Sequence, residues 1–312
     1  MFAADMHCDT ISAIYHKRKQ GEEAELFKND LQVDLCKMKA GNYLLQNFAI
    51  FVDIGKEDDP YRMAKEQIRV FYEEMEKNKS KIRQVKTAED LRKNQKEGKL
   101  SAVLTMEEGE ICGGKIERLE EFYTAGIRMM TLTWNYPNSL ADENGLTDMG
   151  ITFVRRMEEL GMIVDVSHLP EKGFYDVYKY SRNPFVASHS NAAALCRHKR
   201  NLSDDMIRKI AERGGVIGAN YYGLFLSDTP ENGIFYSRTE RIAEHICHLI
   251  QTGGIGCVGL GSDFDGIDDQ LELKDCSYME FLADALRKKG LKESEIEAVF
   301  YKNVLNLYQE VF

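Results

Sequence analysis

Residues 145–168 read GLTDMGITFVRRMEELGMIVDVSH, a segment of helical period followed by a short apolar run that ends in a histidine. The apolar residues of the first part are spaced to line one face of a helix, and Gly161 follows its end. The apolar run, residues 162–168, has the length and near-continuous hydrophobicity of a strand buried on both faces. A helix followed by such a strand is the repeating unit of a parallel α/β sheet.

The same unit recurs along the chain, because apolar runs alternate with segments of helical period throughout. Eight runs occupy residues 2–7, 43–52, 100–107, 128–134, 162–168, 184–190, 214–222 and 256–263. Eight such units in 312 residues predict an α/β protein with a (β/α)8 TIM barrel rather than an open doubly wound sheet. No G-x-G-x-x-G motif follows the first run, which argues against the usual dinucleotide-binding fold.

The segments between the runs indicate one domain over residues 1–312. The chain has five prolines, and no Pro/Gly/Ser-rich linker separates one part from another. The C-terminal segment KESEIEAVFYKNVLNLYQEVF, residues 292–312, predicts two closing helices after the last strand.

The charge pattern narrows the range of partners. The net charge is −10, and lysine and arginine are scattered singly among the acids, so we expect neither nucleic acid nor a membrane as a partner. The seven cysteines are widely spaced and form no C-x-x-C pair, which favours reduced thiols. We therefore expect a cytoplasmic protein.

The residues at the ends of the runs are the candidates for the active site, because the active site of such a barrel lies at the carboxyl ends of its strands. Metal-binding or proton-transferring side chains follow five of the eight runs: His7 and Asp9, Glu107 and Glu108, His168, His189 and Asp263. Imidazole nitrogens and carboxylate oxygens suit two divalent ions that share a bridging carboxylate. Such ions lower the pKa of a bridging water and make hydroxide available near neutral pH. Asp263 would accept that water's proton and return it to the leaving amine.

The residues at two of these strand ends have simpler structural interpretations. His7 and Asp9 lie two apart and so share one face of a strand, but the pair is also consistent with a capping aspartate beside an unrelated histidine. Asp263 stands in GSDFDG, where an aspartate commonly begins a glycine-rich turn.

Together these motifs resemble the membrane dipeptidase (renal dipeptidase) family of the amidohydrolase superfamily, in the form of a bacterial-type soluble member. The similarity runs from Asp5 to the C-terminus. The family's D-G-H-N-D and E-G-G motifs and its leucine-threonine-rich fourth strand correspond to Asp5-Met6-His7-Cys8-Asp9, Glu107-Glu108-Gly109 and Met130-Thr131-Leu132-Thr133. The longer matching stretches are residues 145–168, 187–201 and 259–266.

The resemblance implies two zinc ions per chain. Their ligands in the family are a first-strand histidine and aspartate, a bridging glutamate and two later histidines, which correspond to His7, Asp9, Glu107, His168 and His189. Glu107 is preferred to Glu108 as the bridging residue because it takes the first place of the E-G-G motif. The catalytic residues are then Glu107 and Asp263.

The resemblance also implies a substrate pocket. The family's arginine that pairs with the substrate carboxylate corresponds to Arg200, whose planar fork suits bidentate recognition. Tyr222 corresponds to a tyrosine expected to form a pocket wall. A substrate-contacting histidine of the family is replaced by Trp134, which cannot carry a proton and would narrow the pocket or stack on the substrate. Met6 and Glu108 replace family glycines and add bulk near the metals.

These expectations lead to a dinuclear zinc dipeptidase that cleaves the peptide bond of a small dipeptide. One alternative is an amidohydrolase that acts on another small amide or a β-lactam. A second is a metal-binding barrel with weakened or lost catalysis, which the replacement by Trp134 leaves open. Dimers are common in the resembled family, but the sequence leaves open whether the chain forms a homodimer.

Overall fold

The computed structural model describes residues 1–267 and 271–312 and contains a curled parallel sheet. Its strands are β1 (Ala3–Asp5), β2 (Tyr43–Phe51), β3 (Ile82–Gln84), β4 (Leu100–Glu107), β5 (Ile127–Thr131), β8 (Ile163–Asp165), β9 (Ile217–Ala219) and β10 (Val258–Leu260). Their order is β8-β5-β4-β2-β1-β10-β9, and β3 lies beside the start of β4. A separate antiparallel hairpin is formed by β6 (Ala141–Asp142) and β7 (Gly145–Leu146).

The sheet closes into a barrel between β8 and β9. Val186 forms a parallel bridge with Asp165, and Ala187 forms one with Ile217. The N–H of Gly218 donates to the carbonyl of Ala187 at 2.8 Å. All eight predicted runs therefore contribute to a (β/α)8 barrel, although the sixth contributes two bridging residues rather than a full strand.

The helices lie between these strands along the chain. Their bounds are α1 (Thr10–Lys19), α2 (Leu35–Ala40), α3 (Pro60–Lys77), α4 (Ala88–Lys96), α5 (Ile116–Thr124), α6 (Asp148–Leu160), α7 (Glu171–Tyr180), α8 (Asp204–Glu212), α9 (Thr239–Gly253), α10 (Met279–Lys288), α11 (Glu293–Glu297) and α12 (Asn303–Val311). Local signals define their ends. Ser203 caps α8 by accepting a hydrogen bond from the N–H of Met206, and Gly161 ends α6 in the left-handed conformation.

The predicted pair of closing helices takes a different form in the structure. A π-helical segment, Ala298–Lys302, joins α11 directly to α12 without a loop. The side chains of α12 plug the amino end of the barrel, where they pack against inward-facing residues of the strands. This cluster includes Ala4, Leu45, Val103, Met129, Ile163, Val186 and Val216 from the barrel, with Val304, Leu305, Leu307 and Tyr308 from α12. The amino end is thus an apolar core, and the carboxyl end remains for a site.

Within the residues that the structure describes, no helix is both long and apolar enough to cross a membrane.

Candidate metal centre

The end of β1 presents His7 and Asp9 to the mouth of the barrel. The carboxylate of Asp5 accepts hydrogen bonds from the N–H groups of His7 (3.1 Å) and Ser262 (3.0 Å), which ties the ends of β1 and β10 together. The Nε2 atom of His7 then lies 3.4 Å from Asp9 Oδ2. The thiol of Cys8 instead donates to a β2 carbonyl, as alternation along the chain predicts.

Glu107, the last residue of β4, lies between the histidines. Its Oε2 is 3.3 Å from His7 Nε2, whereas its Oε1 is 3.0 Å from His168 Nε2 and 3.6 Å from His189 Nε2. One oxygen of this buried carboxylate therefore faces His7, and the other faces His168 and His189.

Glu108 has a different environment from that of its neighbour. Its carboxylate accepts hydrogen bonds from the N–H groups of Glu110 (2.7 Å) and Trp134 (2.8 Å) and from the amide of Asn138 (2.5 Å). Its backbone has a φ of +95°, a conformation that favours glycine. Glu108 thus holds the loop after β5 in place, an effect that the sequence did not predict.

The hydrogen bonds around His189 determine which of its nitrogens carries the proton. The Ser188 hydroxyl donates its hydrogen to Asp165 Oδ2, so its oxygen can only accept from His189 Nδ1, 2.8 Å away. Asp165 is itself held by Thr131 Oγ1 at 2.9 Å. Nδ1 is therefore protonated, and the lone pair of Nε2 points into the site.

His168 is oriented in the same way by a different partner. Its Nδ1 lies 3.1 Å from Asn135 Oδ1, an oxygen that only accepts, so Nδ1 carries the proton. The two Nε2 atoms of His168 and His189 are 2.9 Å apart, and neither has a hydrogen to share. Lone pairs that converge in this way on Glu107 are suited to a cation.

The electrostatics of His168, His189 and the carboxylates agree with this geometry. At His7, by contrast, burial is outweighed by the effect of Glu107 and Asp9, which raises the pKa well above the usual value. Burial lowers the pKa of both His168 and His189 well below the usual value, which keeps these imidazoles neutral and able to bind a metal. Burial raises the pKa of Glu107 to about 7 and also raises that of Asp263. A divalent ion would offset the cost of burying such carboxylates in their charged form.

Among the described residues, two sets have ligand atoms close enough for a metal. His7, Glu107 and His189 form one set, and His7, Asp9 and Asp263 form the other, with all ligand atoms of a set within 4.8 Å of one another. The predicted ligand His168 is in neither set, although its Nε2 lies 3.0 Å from Glu107 Oε1. The buried atoms His7 Nε2 and Asp9 Oδ1 have no hydrogen-bond partner within residues 1–267 and 271–312. Imidazoles and carboxylates at these distances fit zinc and similar divalent ions.

Asp263 follows β10 with a φ of +66°. Its Oδ2 accepts a hydrogen bond from the side-chain amide of Asn220 at 2.9 Å, and its Oδ1 lies 3.8 Å from His7 Nε2. One carboxylate oxygen is therefore held by Asn220, and the other faces the centre.

Two cavities meet at the centre. The first, here called the Asp263 cavity, has a volume of about 450 Å³ and is lined by Asp263, Glu107 and Tyr222 among others. The second, called the Arg200 cavity, has a volume of about 490 Å³ and contains Arg200. His168, Trp134 and Asn135 line both. The residues predicted to bind substrate therefore divide between the two cavities, with Trp134 at their boundary.

The indole of Trp134 is part of an aromatic group. Its ring centroid lies 5.0 Å from that of Phe51, 5.7 Å from that of Tyr136 and 6.1 Å from that of His168. These contacts hold the indole at the boundary between the cavities.

Several residues that organise the centre were not predicted from the sequence. They are Asp165, Ser188, Asn135 and Asn220, and each orients a predicted ligand or Asp263 by a hydrogen bond. Proximity in sequence gives a signal for Ser188 and Asp165, which lie beside His189 and in the DVSH motif. The same signal exists for Asn135, which is next to Trp134, and for Asn220, which is two residues before Tyr222.

The model of the membrane dipeptidase family, peptidase family M19, matches residues 1–311. An uncharacterized dipeptidase of Schizosaccharomyces pombe is 29% identical in an alignment 309 residues long that covers 91% of this chain and 74% of the relative. The crystal structure of a metallopeptidase from Rhodobacter sphaeroides, liganded with a phosphinate mimic of L-Ala-D-Ala, is 26% identical with a TM-score of 0.89 and covers 100% of this chain and 99% of its own. A dipeptidase of metallopeptidase family M19 has a TM-score of 0.91 at 26% identity, covering 100% of this chain and 98% of its own.

Proposed function

The chain belongs to the membrane dipeptidase family, peptidase family M19, and from that premise we propose that it is a dipeptidase that uses two zinc ions. The observation that carries the proposal is the position of Glu107. One of its oxygens faces His7, and the other faces the two later histidines, which suits a carboxylate that bridges two ions. The dipeptide mimic bound by the Rhodobacter sphaeroides relative supports a dipeptide as the substrate.

The residues divide into two groups around Glu107. His7 and Asp9 would hold one ion, His168 and His189 the other, and Glu107 both. Zinc at these positions would supply Lewis acidity, which polarises a carbonyl and brings the pKa of a water ligand close to neutrality.

The remaining steps belong to the protein's own side chains. Asn220 holds one oxygen of Asp263, and the other oxygen faces the centre, where it would take the proton of the attacking water. The same carboxyl group would then give the proton to the leaving amine. Arg200 is buried beside the centre and would bind the substrate carboxylate through its guanidinium.

The test combines metal content with turnover. Protein purified without chelator should contain close to two zinc ions per chain by elemental analysis, and cleavage of L-Ala-L-Ala or L-Ala-D-Ala should stop after chelation and return with zinc. Asp263→Asn should retain the metal but lose activity by roughly 10²–10⁴-fold, since it removes the proton acceptor. Absence of metal after reconstitution, or a variant as active as the wild type, would contradict the proposal.

The alternative of an amide substrate without a carboxylate is tested in the same assay. Arg200→Ala should strongly raise the KM for dipeptides, whereas their carboxyl-terminal amides should already be poor substrates of the wild type. Efficient cleavage of the amides would favour the alternative.

A further inference from the structure

The floor of the Arg200 cavity contains buried polar atoms with no hydrogen-bond partner among the described residues. Four residues that line this cavity each contain such an atom: Thr133 Oγ1, Ser190 Oγ, Arg200 Nε and Asn201 Oδ1. Their residues are between 1% and 8% exposed. Buried polar groups nearly always have partners, because an unsatisfied one costs roughly 1–3 kcal/mol. Two hydroxyls and a guanidinium are donors suited to an anion such as a carboxylate.

The position of these buried polar residues relative to the metal centre determines which part of the substrate occupies the cavity. The cavity joins the metal centre at His168, Trp134 and Asn135. If the scissile amide lies at the centre and the substrate carboxylate lies on the floor, the carboxyl-terminal residue must occupy the Arg200 cavity. Its volume of about 490 Å³ is far larger than a methyl side chain requires.

The rim of the cavity is predominantly acidic. Asp142 and Glu143, from the hairpin of β6 and β7, line it together with Glu171 at the start of α7, and Lys199 is the basic residue of the rim. No lysine or arginine of the described residues forms an ion pair with any of the three acids. Asp142 is half-buried, and one of its oxygens accepts from the N–H of Asn144 at 2.7 Å.

The walls between floor and rim are apolar and aromatic. They include Trp134, Tyr136, Leu169 and Met206. The methylene stem of a lysine or arginine side chain packs well on such surfaces, and its charged end also interacts favourably with aromatic rings. Floor, walls and rim together therefore match a residue with a carboxylate at one end and a cation at the other.

We propose that the acidic rim of the Arg200 cavity selects a basic side chain on the carboxyl-terminal residue of the dipeptide. Arg200, Ser190 and Thr133 hold the carboxylate, and Asp142 faces the side-chain cation. This proposal rests on the proposed dipeptidase function and adds a substrate class to it.

The role of the acidic rim is tested with dipeptides whose carboxyl-terminal side chains are similar in length but differ in charge. We expect kcat/KM for Ala-Lys to exceed that for Ala-norleucine by about fivefold, the size expected of a partly exposed ion pair, and Ala-Glu to be poorer than both. The panel includes the L and D forms of each carboxyl-terminal residue. Asp142→Asn should bring the ratio of Ala-Lys to Ala-norleucine close to one. The matched control Glu117→Gln removes an exposed charge of α5 outside the cavity and should leave the ratio unchanged.

The floor is tested with Ser190→Ala and Thr133→Val. Each should raise the KM for Ala-Lys by roughly tenfold with little change in kcat, since each loses a hydrogen bond to a charged group that is present before and during the reaction. Zinc content and the fluorescence of Trp134 should not change, which separates a binding role from a structural one.

The outcomes distinguish the subsite from the function. Equal kcat/KM for Ala-Lys and Ala-norleucine, or a preference for Ala-Glu, would overturn the subsite while dipeptidase activity stands. Failure to cleave any dipeptide would overturn the proposed function and the subsite with it.

Discussion

The two ends of the barrel differ in how many residues with side chains adopt positive φ angles. At the amino end, where the chain passes from a helix into a strand, Asn42 (+55°) does so, and the other described positions are glycines: Gly98 (+64°), Gly126 (+96°), Gly161 (+73°), Gly214 (+71°) and Gly254 (+87°). At the carboxyl end, the loop glycines Gly113, Gly114 and Gly145 are joined by residues with side chains, among them Glu108 (+95°), His168 (+68°), Asp263 (+66°) and Asp265 (+66°). These four residues lie beside the metal centre.

This difference shows where the protein retains strain. A positive φ costs glycine nothing, whereas a residue with a Cβ loses roughly 1–2 kcal/mol. At the carboxyl end, hydrogen bonds offset that cost. Asp265, for example, accepts from Thr10 Oγ1 and the N–H of Gln32, each at 2.6 Å. Strain persists where a side chain is needed at the site, and the surrounding contacts maintain it.

The largest effect is expected for a buried histidine that joins two carboxyl-end loops. His245 in α9 accepts at Nδ1 from the N–H of Ala192 (3.1 Å) and donates from Nε2 to the Leu226 carbonyl (3.2 Å). Burial lowers its pKa to about 4, against about 6.5 in the unfolded chain. The unfolded chain therefore binds the proton first, and His245 contributes about 3 kcal/mol of stability that is present above pH 6.5 and lost toward pH 4.

Urea unfolding between pH 7.5 and pH 4.5 measures this contribution. His245→Gln is the comparison, because the difference between the two pH profiles removes the titration of all other groups. The free energy of unfolding of the variant should fall less steeply below pH 6.5 than that of the wild type. Parallel profiles would show that the carboxyl-end loops do not depend on a neutral His245.

A smaller effect is expected from Ser188→Ala, which leaves His189 Nδ1 without its acceptor. Loss of a hydrogen bond that orients a ligand commonly weakens metal binding by about 10- to 100-fold. Zinc affinity measured by competition with a chelator tests this change. The control is Ser181→Ala at the amino end of the barrel. Ser181 is also buried, but its hydroxyl donates a hydrogen bond to Glu158 and not to a predicted metal ligand. Ser181→Ala should lower stability but not zinc affinity. Equal zinc affinities for Ser188→Ala and Ser181→Ala would show that the hydrogen bond of Ser188 to His189 does not support metal binding.

The smallest effects are expected from two substitutions at positions with a positive φ. One replaces a glycine of the amino end by alanine, and the other replaces a glutamate of the carboxyl end by glycine. Gly161→Ala should cost about 1 kcal/mol in unfolding free energy and leave kcat/KM unchanged, because within the described residues an added Cβ would approach just the Val311 carbonyl oxygen, at 3.4 Å. Glu108→Gly relieves backbone strain but removes the carboxylate that accepts a hydrogen bond from the backbone N–H of Trp134. Its net stability change should be small.

Fluorescence distinguishes these two variants, since Trp134 is the only tryptophan of the chain. Glu108→Gly should shift the emission to longer wavelength and raise the KM, whereas Gly161→Ala should do neither. An unchanged spectrum in Glu108→Gly would mean that Glu108 does not position the loop.

Much of the fold could be predicted because buried strands and amphipathic helices carry strong local patterns. All eight apolar runs lie in the barrel, including residues 186–187, which contribute only two bridges. The short β3 and the hairpin of β6 and β7 were not predicted, because two or three residues are too few to show a period. The π-helical link between α11 and α12 was missed because its five residues continue the helical pattern on both sides, so no break in the pattern marks it.

The sequence by itself determined the barrel and the set of side chains at its carboxyl end, because strand length and alternation are local properties. Only the tertiary structure decided that Glu107 faces the histidines while Glu108 holds the loop of Trp134. It also decided which nitrogens of His168 and His189 carry protons, and it placed Arg200 in a separate cavity. These features depend on hydrogen bonds between strand ends that are far apart in sequence, so no local pattern records them.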